Sequence, residues 1–192
     1  MLRLNLGCGA NRMAGWVNVD RERSLAPDQV VDLERFPWPW PDDSVEEVLL
    51  NHVLEHLGAT PAGFIGVMKE LWRVCRGGAR IQVNVPDPRH DDFLGDPTHV
   101  RPVTLDTLGL FSQRFNREAL AAGGPNTPLG LIHGVNFEIE QHERVLEEPW
   151  RARCAAGELE GEALERALRN YVNVVREHRF RLVALKPGEA RA

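Results

Sequence analysis

The sequence begins with a short strand that runs directly into a glycine turn, and this feature constrains the fold most. Leu2, Leu4 and Leu6 alternate with polar residues, which is the period of a strand with one buried face. Gly7-Cys8-Gly9 then ends the strand in a tight turn. Glycine lacks a Cβ atom, so the backbone of such a turn can approach a ligand closely. The pattern favours an α/β protein in which this turn lies beside a ligand.

The rest of the chain alternates between strand and helix patterns. Strands are predicted near residues 16–19, 29–31, 47–51, 79–85, 135–140 and 179–185. One helix is predicted to begin at Thr60-Pro61 and to end at Gly77-Gly78, a second to cover about 105–121, and an inserted helix to cover about 158–177. The sequence therefore predicts an α/β fold, a Rossmann-like and mostly parallel sheet with flanking helices and an antiparallel C-terminal strand pair.

The connection between the first two strands is short. Only 13 positions separate Gly7 from Asp20, whereas a full crossover helix needs a longer stretch. The first crossover helix is therefore predicted to be missing or reduced, which would leave one face of the sheet uncovered. Polar residues alternate along two strands of that face: Arg3, Asn5, Arg80, Gln82 and Asn84. We expect the inserted helix, or the second subunit of a homodimer, to cover them.

Composition narrows the classes of function. A chain of 192 residues that is 43% hydrophobic can bury one core, which predicts a single domain over 1–192 with a ligand-binding half at 1–86 and a second half at 87–192. The net charge of -5 and the scattered arginines argue against a nucleic-acid partner. The three cysteines are far apart and lack the spacing of a zinc site or a disulfide framework, so we predict no bound metal. We expect a cytoplasmic protein without a membrane partner, since no apolar run approaches the length of a membrane span.

Carboxylates end the next two strands. Asp20 follows the second strand and Asp32 follows the third. A carboxylate at such a strand end can accept hydrogen bonds from both hydroxyl groups of a ribose. The two residues therefore predict a nucleoside site beside the glycine turn.

At this point the chain resembles the class I S-adenosylmethionine-dependent methyltransferases, and in particular proteins with a type 11 methyltransferase domain. The resemblance is carried by segments of residues 1–86 in a specific order and spacing: Leu4 to Gly9, Val17-Asn18-Val19-Asp20, Asp32, Phe36 to Val45, Val53-Leu54-Glu55-His56, and Leu71 to Gly78. It implies a methyltransferase that binds S-adenosyl-L-methionine and releases S-adenosyl-L-homocysteine.

The resemblance also implies roles for individual residues. Gly7, Cys8 and Gly9 would lie under the methionine part of the cofactor, and Asp20 would hold the ribose. Asp32 and Leu33 would meet the adenine, while Asn51, His52 and His56 would border the methyl group. Asn5 replaces the acidic residue that is common at the end of the first strand, so the loop from Asn11 to Gly15 is expected to help bind the cofactor's amino group. The predicted cofactor-binding set comprises Asn5, Gly7, Cys8, Gly9, Asn11, Asp20, Arg21, Asp32, Leu33, Asn51 and His52.

The acceptor is predicted to lie against the segment after residue 86, which is dense in titratable groups. His90 and His99 lie there, and with His56 they are the candidate catalytic bases, because histidine titrates near neutral pH. The resemblance suggests a small-molecule or glycan acceptor, methylated on a hydroxyl oxygen by in-line transfer. Alignment of the reactants contributes more to such a reaction than one base does.

Three alternatives remain open. A nicotinamide-dependent oxidoreductase would also use a glycine turn, but Arg12 stands where its third glycine would be. A catalytically silent protein that binds an adenosyl compound is a third hypothesis, and nothing in the sequence excludes it. His52-Val53-Leu54-Glu55-His56 also matches the His-x-x-Glu-His pattern of inverted zinc peptidases, although that match explains only five residues.

Overall fold

The computed structural model of the protein describes residues 1–124 and 126–188. Pro125 and the last four residues of the predicted domain lie outside this part. Seven strands form one sheet: β1 (Leu2–Leu6), β2 (Val17–Asp20), β3 (Gln29–Val30), β4 (Val45–Asn51), β5 (Cys75–Pro86), β6 (Phe137–Leu146) and β7 (Val175–Ala184).

The strand order in the sheet is β3-β2-β1-β4-β5-β7-β6. The neighbours from β3 to β5 pair in parallel, and β7 pairs antiparallel with both β5 and β6. This topology confirms the predicted fold class. Residues 7–16, which join β1 to β2, form turns and no helix, so the missing first crossover helix is confirmed as well.

Seven α-helices occur in the described residues, and α1 is the longest. They are α1 (Pro61–Val74), α2 (Asp91–Leu94), α3 (Leu105–Gly109), α4 (Gln113–Ala121), α5 (Leu129–His133), α6 (Trp150–Ala155) and α7 (Gly161–Asn170). Thr60 begins α1 as predicted, because its hydroxyl accepts a hydrogen bond from the Gly63 amide at 3.1 Å. None of these helices combines the length and the apolar character that a membrane crossing requires.

Three predicted helix boundaries were wrong, and each has a local cause. Helix α1 ends at Val74 instead of Gly77-Gly78, because Cys75 already pairs with Val45 in the sheet. The predicted helix 105–121 is two helices, since the Ser112 hydroxyl caps a new helix by accepting from the Phe115 amide. The inserted helix 158–177 ends at Asn170, and β7 begins at Val175.

The hydrophobic core lies on one face of the sheet. The apolar side chains of the central strands, such as Leu4, Val48 and Ile81, pack with those of α1, including Met68 and Leu71, and all are fully buried. Alternation along the strands places polar side chains on the opposite face. There the side chains of Arg3, Arg80, Arg179 and Arg181 are exposed. The inserted helices therefore do not cover this face.

Candidate functional site

A cavity of about 490 Å³ opens at the carboxyl ends of β1, β2, β3 and β4. This is the edge at which sheets of this kind bind ligands. Seven of the predicted site residues line the cavity: Gly7, Asp20, Arg21, Asp32, Leu33, His52 and His56. The sheet topology thus brings residues at the ends of four neighbouring strands, β3, β2, β1 and β4, to one place.

The glycine turn forms one wall of the cavity. Gly7 and Gly9 have φ values of 62° and 53°, in the left-handed region that favours glycine. The Gly9 amide donates to the Asp20 carboxylate at 2.9 Å, and the Cys8 amide donates to the Val19 carbonyl at 2.9 Å. The ends of β1 and β2 are therefore joined directly, in place of the missing helix.

Cys8 belongs to this turn, and its side chain is buried. Burial and the nearby Asp20 carboxylate raise the pKa of the Cys8 thiol. The thiol is therefore protonated at neutral pH, and it is not positioned as a nucleophile.

Asn5 and Asn11 stabilise the turn from below. Asn5 is buried, and its amide group donates to the Asn11 carbonyl at 2.9 Å and to the Asn18 side chain at 3.0 Å. The Asn18 side chain in turn accepts from the Met13 amide at 2.7 Å. The structure thus places Asn5 in a buried amide network that holds the loop, behind the residues that line the cavity.

Asp32 and Leu33 also line the cavity, and they are followed by a Trp- and Pro-rich loop at residues 37–41. Trp38 and Trp40 are buried, and the Trp38 indole donates to the Leu33 carbonyl at 3.1 Å. The loop is therefore anchored to the core. This anchoring fixes the backbone that presents Asp32 and Leu33 to the cavity.

His52 borders the cavity as well and has an unusual backbone conformation, with φ of 54° immediately after β4. Its Nδ1 lies 3.5 Å from Glu55 Oε1, and its Nε2 lies 2.7 Å from Glu177 Oε2. The Glu55 carboxylate raises the pKa of His52, burial opposes this effect, and Glu177 adds to the increase. Asn51 lies at the strand end beside it, where its side-chain oxygen accepts from the Asn84 amide group at 2.8 Å.

Two histidines from distant parts of the sequence meet beside the cavity, which His56 lines and His99 does not. The ring centroids of His56 and His99 are 4.5 Å apart. Glu55 lies next to both rings and is fully buried, and its Oε1 is 4.0 Å from His99 Nε2. Among the described residues, neither Glu55 carboxylate oxygen has a hydrogen-bond partner.

His90, the third predicted catalytic residue, does not line the cavity. Its Nδ1 accepts from the Asp92 amide at 3.0 Å, so it caps the short helix α2. Its Nε2 lies 3.4 Å from the Glu147 carboxylate, and the ring is buried. This geometry describes a structural histidine.

Sequence reasoning missed several cavity residues: Val31, Val53, Leu57, Thr98 and Val100. Val53 lies within the segment Val53-Leu54-Glu55-His56 and Leu57 directly follows it, so proximity along the chain was an available signal. Thr98 and Val100 reach the cavity because the Val100 amide donates to the Glu55 carbonyl at 3.0 Å. No local sequence pattern predicts that contact.

The zinc-peptidase arrangement is not formed. It requires both histidines of the motif on one face of an α-helix, with the glutamate as base. Here His52 terminates the β4 segment, and Leu54–His56 is a single 3-10 turn. Glu55, His56 and His99 come together instead, with one ligand-type atom of each within 4.8 Å of the others.

Comparison with known proteins gives matches at the level of structure. No protein-family sequence model matches the chain, and neither does any curated protein sequence. A SAM-dependent methyltransferase from Archaeoglobus fulgidus has a TM-score of 0.58 at 18% identity, over 94% of this chain and 85% of that one. One from Methanosarcina mazei has a TM-score of 0.54 at 13% identity, over 95% and 92%.

A putative type 11 methyltransferase from Sulfolobus solfataricus is similar too, with a TM-score of 0.52 at 12% identity over 99% of this chain and 87% of that one. Identities this low establish the fold. The predicted resemblance is confirmed at that level: this chain has the fold of the SAM-dependent methyltransferases, type 11 proteins among them.

Proposed function

We propose that the protein is an S-adenosylmethionine-dependent methyltransferase that methylates a hydroxyl oxygen of a small-molecule or glycan acceptor. One observation carries the proposal: a single cavity is lined by Gly7, Asp20 and His56, and the ring of His99 packs against His56 with centroids 4.5 Å apart. The fold neighbours support the cofactor class. The proposal of a hydroxyl acceptor is based on the two histidines, His56 and His99, since histidine can act as a base near neutral pH.

The residues at the turn fit an adenosyl cofactor. A volume of about 490 Å³ falls within the range of small-molecule sites. No atom lies within 4 Å of the position of a Cβ on Gly9, so the backbone is open to a ligand there. Asp20 Oδ2 accepts from Gly9 and Oδ1 accepts from the Glu22 amide at 2.9 Å, which orients the carboxylate towards the cavity mouth. Each oxygen keeps a second lone pair for a ribose hydroxyl.

The bound cofactor would supply an electrophilic methyl group on a sulfonium. The chain must then hold the acceptor oxygen in line with that methyl group and favour loss of the hydroxyl proton. Holding the reactants in line contributes about 7–11 kcal/mol to lowering the barrier, and a positioned base contributes a factor of about 100–10,000. His56 borders the cavity and lies beside His99 and Glu55. This cluster is therefore the part of the chain suited to promote loss of the hydroxyl proton.

The nicotinamide alternative is disfavoured by two observations. The sheet inserts the antiparallel β7 between β5 and β6, whereas the dinucleotide fold has the parallel order 3-2-1-4-5-6. Arg12, at the position of the third glycine, is engaged in an ion pair with Asp28 and a hydrogen bond to the Ala26 carbonyl at 2.9 Å. The Arg12 side chain therefore stabilises the loop between β1 and β2 by binding to Ala26 and Asp28.

Isothermal titration calorimetry with S-adenosylhomocysteine tests the proposal. We expect 1:1 binding that Asp20→Asn weakens about 10- to 100-fold, the loss typical of a hydrogen bond to a charged group. Asn keeps one oxygen for the Gly9 amide, so the turn should persist. Asp106→Asn, an exposed carboxylate away from the cavity, is the matched control and should bind normally. Binding of NAD without any binding of the adenosyl compound would overturn the proposal.

A further inference from the structure

We propose that Glu55, His56 and His99 form a site for one divalent transition-metal ion at the acceptor end of the cavity. Their ligand atoms lie within 4.8 Å of one another. Ligand atoms around one tetrahedral ion with bonds of about 2.1 Å lie about 3.4 Å apart, so side-chain shifts of about 1 Å would complete the site. The site differs from the sequence-based expectation of no metal, which considered only cysteine spacing and the peptidase motif.

The buried carboxyl group of Glu55 is the first reason. It is fully buried, and neither of its oxygens accepts a hydrogen bond from any described residue. A buried polar group without a partner is costly, and a buried carboxylate needs a cation nearby. His99 Nε2 lies 4.0 Å from Glu55 Oε1, a distance that leaves room for an ion between these two groups. His52 Nδ1, which is not one of the three ligands, lies 3.5 Å from the same oxygen.

The orientation of the two imidazoles is the second reason. His99 Nδ1 lies 2.8 Å from the Phe93 carbonyl oxygen, which can only accept, so Nδ1 carries a proton and Nε2 has the free lone pair. His56 Nδ1 lies 2.9 Å from the Thr98 hydroxyl. That hydroxyl gives its own proton to Asp96 at 2.6 Å, so it accepts from His56.

Both histidines therefore present an unprotonated Nε2 when neutral. Histidine ligands of metals almost always donate their other ring N–H to a carbonyl or a carboxylate-linked group, and this arrangement fixes the tautomer. The turn that carries Glu55 is also tied to the loop of His99, through the bond between the Val100 amide and the Glu55 carbonyl at 3.0 Å. The three ligands are thus held in place by the surrounding structure.

The donor set defines the class of ion. Two imidazole nitrogens and one carboxylate oxygen suit zinc, cobalt, manganese or iron in the divalent state, and three protein ligands leave a position open. His56 and Thr98 line the cavity, so that open position faces the acceptor.

The role of the ion in catalysis rests on the proposed function. The ion would bind the acceptor hydroxyl and lower its pKa. That hydroxyl would lose its proton to water, an oxygen lone pair would form the bond to the methyl carbon, and the carbon–sulfur bonding pair would remain on sulfur. The acceptor is therefore inferred to offer a hydroxyl that can coordinate a metal.

Cobalt binding to the EDTA-treated protein tests the site without any methyltransferase assay. We expect one equivalent of Co²⁺ with visible absorption bands of a four- or five-coordinate ion, displaced by Zn²⁺. Glu55→Gln, which is isosteric, and His99→Ala should each abolish the bands, with folding checked by circular dichroism. Thr98→Val should weaken binding about 10- to 100-fold, as loss of a hydrogen bond behind a ligand does. His133→Ala, a histidine on α5, is the control and should bind normally.

Failure of this site and failure of the proposed function give different results. Asp20→Asn should lose affinity for S-adenosylhomocysteine and keep the cobalt spectrum, whereas Glu55→Gln should show the reverse. Wild-type protein that binds no cobalt overturns the metal site, whatever its affinity for the adenosyl compound. Cobalt bands that persist in both Glu55→Gln and His99→Ala also overturn it.

Discussion

Gly7 combines two constraints on its side chain, and both come from its place between β1 and the cavity. Its φ of 62° is costly for any residue with a Cβ. A Cβ built there would also lie 2.5 Å from a methyl carbon of Val53, which is buried. Backbone strain and steric overlap therefore add at one position.

Gly7→Ala should destabilise the protein by about 2–6 kcal/mol, the sum of about 1–3 for strained backbone and about 1–3 for overpacking. Urea unfolding followed by tryptophan fluorescence measures this loss. Gly134→Ala is the control for strain alone, because its φ is 68° and no atom lies within 4 Å of the new Cβ. Removing the Val53 methyl groups in the Gly7→Ala background should give a favourable coupling energy. Equal losses at Gly7 and Gly134, with no coupling, would contradict the steric argument.

The sequence predicted some residues of the site and not others. Gly7, Asp20 and Asp32 were predicted because each directly follows a strand, and parallel strands bring their carboxyl ends together. Glu177 was not predicted as a site residue. It is 125 positions away from His52 in sequence, and only the pairing of β7 with β5 brings the two side chains together. Nothing in the sequence favoured His99 over His90 as a catalytic base. The structure distinguishes them, because His90 caps a helix.

The strand pair β6–β7 contains a set of stacked rings that includes the titratable side chain of His142. His142 lies opposite Phe180 in the ladder, with ring centroids 4.5 Å apart, and its Nε2 lies 2.8 Å from His178 Nδ1. Burial, His178 and Arg144 together lower the pKa of His142 to about 4. The unfolded chain would hold a proton on this residue up to about pH 6.5.

The stability of the fold should therefore fall as the pH decreases from about 6.5 to about 4. In this window the unfolded state binds a proton at His142 that the folded state does not, so acidification favours unfolding. His142→Phe keeps a ring on Phe180 and removes the titrating group. Its free energy of unfolding, measured in urea at several pH values, should vary less steeply over this window than that of the wild type. Identical slopes for the two proteins would show that His142 does not contribute.

The extent of the elements was predicted less well than their existence. The starts of α1 and β1 were correct because their signals are local: a Thr-Pro cap in one and strict alternation in the other. Strands β6 and β7 run over ten residues each, longer than predicted, because polar residues such as His142 and His178 occupy positions on the same sheet face as Phe180 and interrupt the alternation. The break between α3 and α4 depends on the hydrogen bond from Phe115 to Ser112, which competes with an equally acceptable continuous helix.

On the scale of the whole molecule, the sheet joins the two halves of the chain. Strands β1 to β5 come from residues 1–86, and β7, from the far end of the chain, pairs with β5 over seven residues from Pro86 to Arg80. The Trp72 indole of α1 also donates to the Leu185 carbonyl at 3.0 Å. Separating the halves would break an interior pairing of the sheet, so we expect both to unfold together.

Hydrogen exchange with S-adenosylhomocysteine tests this coupling. A ligand at 100 times its dissociation constant stabilises a two-state fold by about 2.7 kcal/mol, equivalent to about 100-fold slower exchange for amides that exchange only by global unfolding. That slowing should reach Ile81, at the centre of the sheet, and Phe180 of β7, which does not line the cavity. Asp20→Asn at the same ligand concentration is the control, and its exchange should slow much less. If protection increases at residues 7–33 but not at Phe180, the two halves open independently, and the single domain predicted for residues 1–192 would have to be divided.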